Sequence, residues 1–416
     1  MVLSHAPSRR QFADDCQESV FRDNFEKLID EDVELVAVAD TVNSLLRSMP
    51  DEGGLSLLPG RMTASLISKR VLERYRFEKE YLVAVDATRL SSFSERHCDR
   101  CLKVEHSDGS TEYFHAVLEA KIVTKEGLAF SLASVFIENP EDGVYDKQDC
   151  ELKAFYRLVL LLKERFPQLP MCLLMDSLYA NEQVVKLCET YGWSYCLSFK
   201  EGSIPTLYKE MLEQFNRHPE NRLELVEENA AHTYEWACNL NHRKHELHAI
   251  RCSVKPDNED MTRFVFLTDH RPDEERVRLI ANCGGRQRSK IENQGFNVQK
   301  NHGYRLVKGY GYQGFAYKNI YYLTQVAHML HQLIAYGDLN GKLTRSQTRK
   351  DNPHLPAIAL NVLVRAARQA IDVYGSIRAI ARKIGETFCY CAIEEDAFSH
   401  TYAQAIQIRF PKLDSS

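Results

Sequence analysis

The sequence has no long apolar run and no strong excess of charge of either sign. None of its apolar stretches approaches the roughly 20 residues that a membrane-spanning helix requires. The first residues, MVLSHAPSRRQFADD, contain no apolar core of the signal-peptide type. The net charge of -5 gives no overall sign of a nucleic-acid-binding protein. These absences favour a soluble cytoplasmic protein over a membrane or secreted one.

A disulfide framework and internal repeats are missing as well. The twelve cysteines are scattered, and Cys172, Cys196 and Cys252 lie inside apolar stretches, which is typical of buried thiols in a reducing compartment. The composition, 44% hydrophobic and 27% charged, is that of an ordinary globular protein. A chain of 416 residues exceeds one compact core, so we expect two or three lobes.

Two short apolar runs each end in an aspartate. YLVAVDAT, residues 81–88, contains Asp86, and MCLLMD, residues 171–176, ends at Asp176. Such runs are typical of strands buried on both faces of a sheet. A carboxylate at the end of a core strand is costly to bury, so it is expected to point into a cleft or onto a metal. The pair therefore predicts a metal site.

The order of the predicted elements describes an α/β protein. Before the sheet, residues 16–48 are predicted to be helical in one or two pieces, and residues 62–75 form another helix after a Gly/Pro-rich break at 50–60. Strands at 81–86, 115–123 and 128–137, which suggest an antiparallel meander, are followed by a helix, a strand, a helix and a strand up to residue 199. This order resembles the RNase H fold, a mixed sheet flanked by helices. Alternating stretches within 220–271 then predict a β-rich insertion.

Positive charge is concentrated late in the chain. Residues 286–350 contain eleven Lys and Arg but only two acids, Glu292 and Asp338, which gives a local charge of +9. The excess predicts a phosphate-binding face. The alternative is a solvated face balanced by acids from elsewhere in the fold.

Within this basic region, RQRSKIENQGFNVQK (286–300) is predicted to be helical. Arg288 and Glu292 are then i,i+4 neighbours on one face. By itself this pattern is usually a surface ion-pair ladder. Here it follows two strand-end aspartates.

These three stretches together resemble the insertion-sequence transposases of the IS-four type, in the RNase H and retroviral-integrase superfamily. The resemblance is carried by VAVDAT, LLMDSLYAN and RSKIENQGFNVQKNHGY, and it covers roughly residues 80–335. It implies that Asp86, Asp176 and Glu292 form the DDE catalytic triad. The alternative is three unconnected surface or capping carboxylates.

The resemblance implies a metal-dependent enzyme that acts on DNA. Two Mg²⁺ ions about 4 Å apart activate the attacking oxygen and stabilise the leaving oxygen in phosphodiester chemistry. Carboxylates suit Mg²⁺, with Mn²⁺ as a substitute. We expect Asp86 to bind both ions, and Asp176 and Glu292 one each. The expected DNA-binding residues are Arg288, Lys290, Lys300, Arg305, Lys308 and Lys318.

The family's Tyr-Arg-Glu-Lys signature is only half kept. Arg288 stands four residues before Glu292, as the signature requires. The Tyr position is Gly285, and the Lys position is Gln299, with Lys300 one residue later.

In this interpretation the chain divides into five parts. They are a helical N-terminal region (1–79), the first part of the catalytic core (80–219), the β-rich insertion (220–271), the second part of the core with the Glu helix (272–336), and a basic loop with a helical C-terminal region (337–416).

A second metal site is suggested by one Cys-x-x-Cys motif. Cys98 and Cys101, with His106 five residues on, are candidate zinc ligands. No second Cys-x-x-Cys exists, and the alternative is a loop that carries free thiols.

The expected function is cleavage of DNA at element ends and strand transfer into target DNA. The partners would be terminal repeats, target DNA and a second copy of the chain in a DNA-bound homodimer, with no membrane partner. The setting would be the bacterial cytoplasm, at the nucleoid. Two alternatives remain open: a domesticated transposase that binds DNA without cutting it, and a stand-alone nuclease of the RNase H fold.

Overall fold

The structure is a computed structural model of the chain. It describes residues 2, 9–29, 32–50, 54–140, 142, 144–227, 230–257, 260–307, 313–336, 381–382, 384–386 and 389. Lys308 and nearly all of the predicted C-terminal region, 337–416, lie outside the described residues. The chain forms two compact units: Leu72–Phe296 is one, and Met1–Val71 with Asn297–Ser416 is the other.

The unit Leu72–Phe296 is built on one ten-stranded mixed sheet. Its strands, in chain order, are β1 (Tyr81–Phe93), β2 (Leu102–Glu105), β3 (Thr111–Val123), β4 (Ala129–Ile137), β5 (Met171–Met175), β6 (Ser194–Ser198), β7 (Arg222–Glu227), β8 (Ala230–His242), β9 (His245–Pro256) and β10 (Thr262–Thr268).

The first strands form the predicted antiparallel meander. β3 pairs antiparallel with β1 along one edge and with β4 along the other, while β5 is parallel to β1 and β6 is parallel to β5. The parallel centre is apolar on both faces, since every residue of β5 is buried. β2, which the sequence did not predict, pairs with the first residues of β3.

The predicted β-rich insertion continues this sheet. β10 pairs antiparallel with β6, and β9, β8 and β7 follow in that spatial order, each antiparallel to its neighbour. The insertion is therefore an extension of the sheet at its β6 edge.

Three regular helices accompany the strands of this unit. α5 (Glu151–Arg165) connects β4 to β5, α6 (Glu182–Tyr191) connects β5 to β6, and α7 (Pro205–Arg217) leads into β7. α5 buries Phe155, Leu158 and Leu162 at helical spacing, which places its apolar stripe against the sheet. Gly192, with a φ of 67°, ends α6 in the left-handed conformation that glycine adopts without strain.

The unit ends in an irregular helical stretch, which we call the Glu segment (Val277–Phe296). It consists of a short α-helical turn α8 (Val277–Leu279), a π-helical turn (Ile280–Gly284), a 3₁₀ turn (Gly285–Arg288) and a second π-helical turn (Ile291–Phe296). The helix predicted for 286–300 is therefore present only as irregular helical turns within this segment. π turns are frequent at functional sites, where they redirect side chains.

The other unit is helical. Its helices are α1 (Arg9–Asp15), α2 (Ser19–Ile29), α3 (Ala39–Ser48), α4 (Leu58–Ser68), α9 (Asn297–Asn301) and α10 (Ala316–Tyr336).

In the helical unit, α10 packs against α3. Leu46 forms an apolar cluster with Ala316 and Ile320, and the Asn319 side-chain amide donates to the carbonyl of Leu46 at 2.8 Å. Gly314 has a φ of 58°, and a Cβ there would lie 2.5 Å from the carbonyl oxygen of Arg47. Glycine is therefore required at the entry to α10.

The N-terminal helices differ from the prediction mainly at one boundary. The helical stretch expected over 16–48, in one or two pieces, consists of two, α2 and α3, and residues 32–38 between them are not helical. Pro59 and Gly60, which were assigned to a break, lie in the first turn of α4, where proline is tolerated because its missing N–H has no helical partner.

Within the described residues, we find no helix that combines the length and the apolarity needed to cross a membrane. All cysteines in the same part of the chain are free thiols, as expected from their scattered positions.

Candidate active site

Asp86 and Asp176 lie side by side on neighbouring parallel strands. The β1–β5 pairing runs from Tyr81–Met171 to Ala84–Leu174. Two residues beyond this last pair come Asp86, which lies within β1, and Asp176, which directly follows β5. Both aspartates therefore lie where β5 ends and the sheet opens, a position at which α/β proteins commonly bind ligands.

The predicted end of the first strand at Asp86 is wrong, because the strand continues beyond this residue. β1 continues to Phe93 because residues after Asp86 still pair with β3, as far as Phe93–Tyr113. What ends beside Asp86 is its other neighbour, β5. The carboxylate is only partly exposed, and its Oδ1 accepts a hydrogen bond from the Ala87 amide at 3.1 Å.

Asp176 is held by the turn that follows β5. It is the N-terminal cap of a 3₁₀ turn (Ser177–Tyr179), and its Oδ1 accepts from the Leu178 amide at 2.8 Å. Such a cap fixes the side chain while leaving its second oxygen available for another ligand.

Glu292 is brought to the same region by the Glu segment. The second π turn contacts β1 and β4, and Ile291 and Phe296 anchor it as buried apolar residues. A Cβ on Gly295 would lie 3.4 Å from Cε of Lys121 in β3, so this turn lies close to the sheet. Glu292 itself is exposed between these anchors.

Arg288 neutralises part of the negative charge at this site. Its Nη1 lies 3.2 Å from Oδ2 of Asp86, with the two side chains 23% and 20% exposed. The same Nη1 is buried and makes no well-aligned hydrogen bond. The guanidinium therefore interacts with Asp86 mainly through its charge.

The electrostatics of Asp86 show that these groups act on one another. Burial raises the pKa of Asp86 above its ordinary value of 3.8, the Arg288 charge opposes this rise, and the negative charges of Glu292 and Asp176 add to it. The structure thus brings together the three acids and the arginine that the sequence singled out.

A fourth carboxylate, Glu151, belongs to the same group and was missed by sequence reasoning. It is the first residue of α5, and its Oε1 accepts from the Tyr179 hydroxyl at 2.8 Å. Burial raises the pKa of Glu151, the Tyr179 hydrogen bond lowers it, and the charges of Asp176 and Asp86 raise it again. In the sequence it looks like an ordinary acid in the first turn of a helix.

The four carboxylates are loosely grouped. Among the described residues, the sets of donor atoms that lie within 4.8 Å of one another do not include the triad. Their donor atoms are therefore spaced more widely than those of a closed single-ion cage.

A cationic cleft of about 1050 Å³ begins at Arg288. Its basic lining residues are Lys125, Arg278, Arg286, Arg288 and Lys290. Two acids, Glu227 and Glu275, also line it, and Glu227 pairs with Arg278 at 2.5 Å. The cleft is net positive and adjoins the carboxylates through Arg288.

Arg286 is held firmly in this cleft. Its Nη1 donates to Asn282 Oδ1 at 3.1 Å, and its guanidinium lies 5.0 Å from the centre of the Phe264 ring. The predicted DNA-binding residues did not include three residues of this cleft: Arg286, Arg278 and Lys125. Lys125 lies in the β3–β4 turn, and only the fold brings it to the Glu segment.

The other predicted DNA-binding residues are divided between this cleft and the helical unit. Lys290 lines the cleft with Arg288. Lys300 and Arg305 are partly exposed and belong to the helical unit, as does Lys318. Lys318 is only 4% exposed within α10, so its ammonium group does not form part of an open cationic surface in that unit.

The structure shows what surrounds Gly285 and Gln299, the two positions that differ from the signature. A Cβ at Gly285 would lie 2.5 Å from the ring of the buried Phe266, so a tyrosine does not fit there. Gln299 is fully buried in the helical unit, where its amide donates to Gln325 Oε1 at 2.8 Å.

The candidate zinc residues are only partly brought together. Cys98 and Cys101 have their sulfur atoms 3.4 Å apart. His106 lies in the β2–β3 turn and contacts Glu112 at 3.3 Å, and it does not belong to the cluster around the two cysteines. That cluster is completed by two other histidines, His97 and His115.

Comparison with known proteins adds no name to this site. No family model matches the chain, and no curated protein matches it.

Proposed function

We propose that the chain is a DDE transposase of an insertion sequence, which cleaves DNA at the element ends and joins the resulting 3′ hydroxyls to target DNA. The observation that carries this proposal is the meeting of Asp86, Asp176 and Glu292 beside Arg288. They come from positions 86, 176 and 292 of the chain, and only the sheet topology brings them to one place.

The topology supports the proposal independently of the motif. The antiparallel strands β1, β3 and β4, with the short β2 between the first two, are followed by a helix, a parallel strand, a helix and a second parallel strand. This is the order expected for an RNase H-like core. The β-rich insertion stands between Asp176 and Glu292, where the resemblance expects it.

The residues of the site fit divalent magnesium. All the candidate ligands are carboxylate oxygens, the hard donors that Mg²⁺ prefers. The pKa of Asp86 is raised first by burial and then by the negative charges of Glu292 and Asp176, as expected for a carboxylate site that would gain from a bound cation. Asp86, Asp176 and Glu292 would hold the metal, with Glu151 beside them.

Bound metal ions would supply activation of an attacking water or 3′ hydroxyl and stabilisation of the leaving oxygen. The protein's own residues do the positioning. Asp176 is fixed by its cap and Asp86 by its strand, so both carboxylates are set before DNA binds. Arg288 lines the cleft beside Asp86, so its guanidinium would contribute positive charge next to the phosphate at the scissile bond.

The cationic cleft supports DNA as the substrate. Contacts from Arg286, Arg288 and Lys290 to the phosphate backbone would position the strand without reading its sequence. Sequence recognition of the terminal repeats is proposed for other parts of the chain, and a homodimer is proposed to hold two ends.

A cleavage and joining assay tests this function. Purified protein is incubated with Mg²⁺ or Mn²⁺ and duplex DNA that carries the genomic sequences flanking the gene. We expect nicks at a fixed position and transfer of the 3′ end to a second duplex. Cutting without joining or preference would replace the proposal with a plain nuclease. Binding without cutting would replace it with a domesticated DNA-binding protein.

A further inference from the structure

We propose that His97, Cys98, Cys101 and His115 bind one Zn²⁺ ion as a closed structural site. The four donor atoms all lie within 4.8 Å of one another. This site is separate in composition from the carboxylates and does not depend on the proposed DNA chemistry.

The distances match a tetrahedral zinc site. Zn–S bonds of about 2.3 Å and Zn–N bonds of about 2.0 Å place neighbouring donors about 3.3–3.8 Å apart. Cys98 Sγ lies 3.4 Å from Cys101 Sγ and 3.5 Å from His115 Nε2. Cys101 Sγ lies 3.7 Å from His115 Nε2 and 3.2 Å from His97 Nδ1. Three of these four donor pairs fall within the expected range, and the fourth, Cys101 with His97 at 3.2 Å, is close to its lower end.

The donor set favours zinc in a structural role. Two thiolates and two imidazoles fill all four positions and neutralise the ion, whereas a catalytic zinc keeps one position open. Cys101 and His115 are buried, Cys98 is partly buried and His97 is exposed. An ion can therefore enter from the His97 side and be enclosed by the other three ligands.

The fold explains why His115 completes the site. His115 lies in β3, opposite Ser91 of β1. Along β3, the residues up to Phe114 pair with β2 and the residues from Ala116 pair with β4, so His115 lies between the two pairings. The other three ligands come from the loop between β1 and β2. The metal would fasten this loop to the strand where β2 and β4 meet.

The surroundings hold the loop in a suitable conformation. The Asn139 side-chain amide donates to the Cys101 carbonyl at 2.7 Å, and the Asn139 backbone amide donates to the Arg100 carbonyl. The Phe93 ring lies 4.1 Å from the His97 ring. Ligands that are already positioned bind a metal with less loss of conformational entropy.

The consequence is mechanical support for the candidate active site. β1 carries Asp86, and β3 is its antiparallel neighbour along that stretch. Zinc at the far end of this pair would hold β1, the loop and β3 together, so metal removal would loosen the strands that position Asp86.

Zinc content measured by mass spectrometry tests the site. Protein is purified in reducing buffer without added chelator, and we expect about one Zn²⁺ per chain. Replacement by Co²⁺ is expected to give the absorption of tetrahedral cobalt with thiolate charge-transfer bands. A chain that contains no zinc after growth in zinc-supplemented medium, with Cys98 and Cys101 reduced or joined in a disulfide, would overturn the proposal.

Matched histidine variants test the ligands. His97→Asn and His115→Asn are expected to lower zinc content and shift the cobalt spectrum. His106→Asn is the control, because His106 lies in the β2–β3 turn outside the four-residue cluster, and it is expected to leave both readouts unchanged. If His115→Asn fails to fold, the exposed His97→Asn still decides the matter. Loss of zinc in His106→Asn together with full retention in His97→Asn would overturn the assignment. The readout uses no DNA, so it is independent of the proposed transposase activity.

Discussion

Replacing Arg288 should change metal binding and DNA binding in opposite directions. In the structure Arg288 is the cation nearest to Asp86 that the site supplies, with Nη1 3.2 Å from Oδ2. A metal ion that binds Asp86 must compete with this guanidinium. Arg288→Gln removes the competitor and keeps a polar side chain of moderate length, so divalent ions should bind more tightly.

The size of the effect follows from the geometry. At 3.2 Å and an effective dielectric constant of about 20, Coulomb's law gives about 5 kcal/mol. Both side chains are about one-fifth exposed, and solvent screening reduces such pairs to the order of 1 kcal/mol. Since 1.4 kcal/mol corresponds to about a tenfold change, Mn²⁺ should bind roughly fivefold more tightly. The same variant loses a phosphate contact, so the slope of the logarithm of DNA affinity against the logarithm of salt concentration should become shallower by about one.

Mn²⁺ binding is measured by electron paramagnetic resonance titration at about pH 8, where carboxylates are ionised. Arg278→Gln is the matched control, because Arg278 lines the same cleft but pairs with Glu227. It should weaken DNA binding without changing Mn²⁺ affinity. Unchanged or weaker Mn²⁺ binding in Arg288→Gln would refute the view that Arg288 and the metal share Asp86.

Three further predictions concern stability and the fourth acid. In metal-free buffer, Asp86→Asn should raise the free energy of unfolding at neutral pH by about 1 kcal/mol. The pKa of Asp86 is raised in the folded state, so wild-type stability should fall as pH rises from about 3.8 through that raised pKa. Urea unfolding midpoints of both proteins across pH check this. A difference in midpoint between the two proteins that does not change with pH would contradict it. Gly285→Ala should cost about 1–3 kcal/mol because its Cβ would meet Phe266, whereas Gly202→Ala, with open space around it, should cost much less in thermal melts. Glu151→Gln and Tyr179→Phe should both lower the rate of metal-dependent cleavage, by about tenfold or more for Glu151. The control Glu164→Gln, at an exposed position on the same helix, should leave the rate unchanged. Full activity in Glu151→Gln would show that Glu151 does not belong to the site.

The parts of the site that could be predicted are those with a local signal. Asp86 and Asp176 follow apolar runs whose burial is visible in the sequence, and parallel pairing of two such strands places their carboxylates together. Glu292 was found through its spacing from Arg288, although the helix that carries it is irregular.

The parts that could not be predicted depend on pairing between distant segments. The continuation of β1 past Asp86 is set by its pairing with β3, and Glu151 is joined to the site by the Tyr179 hydroxyl. His115 replaces His106 beside Cys101 because strand register, and not distance along the chain, decides which histidine faces the loop. Lys318 is among the predicted DNA contacts, but the packing of α10 buries it.

The most direct test of the account is the cleavage activity of isosteric triad variants. Asp86→Asn, Asp176→Asn and Glu292→Gln each keep the shape of the side chain and remove one metal ligand charge. We predict that each abolishes Mg²⁺-dependent cleavage of the flanking-sequence duplex while DNA binding in gel-shift assays is retained, and that Glu164→Gln cleaves normally. Cleavage at the wild-type rate by any of the three variants would contradict the assignment of that residue, and cleavage by all three would contradict the proposed active site.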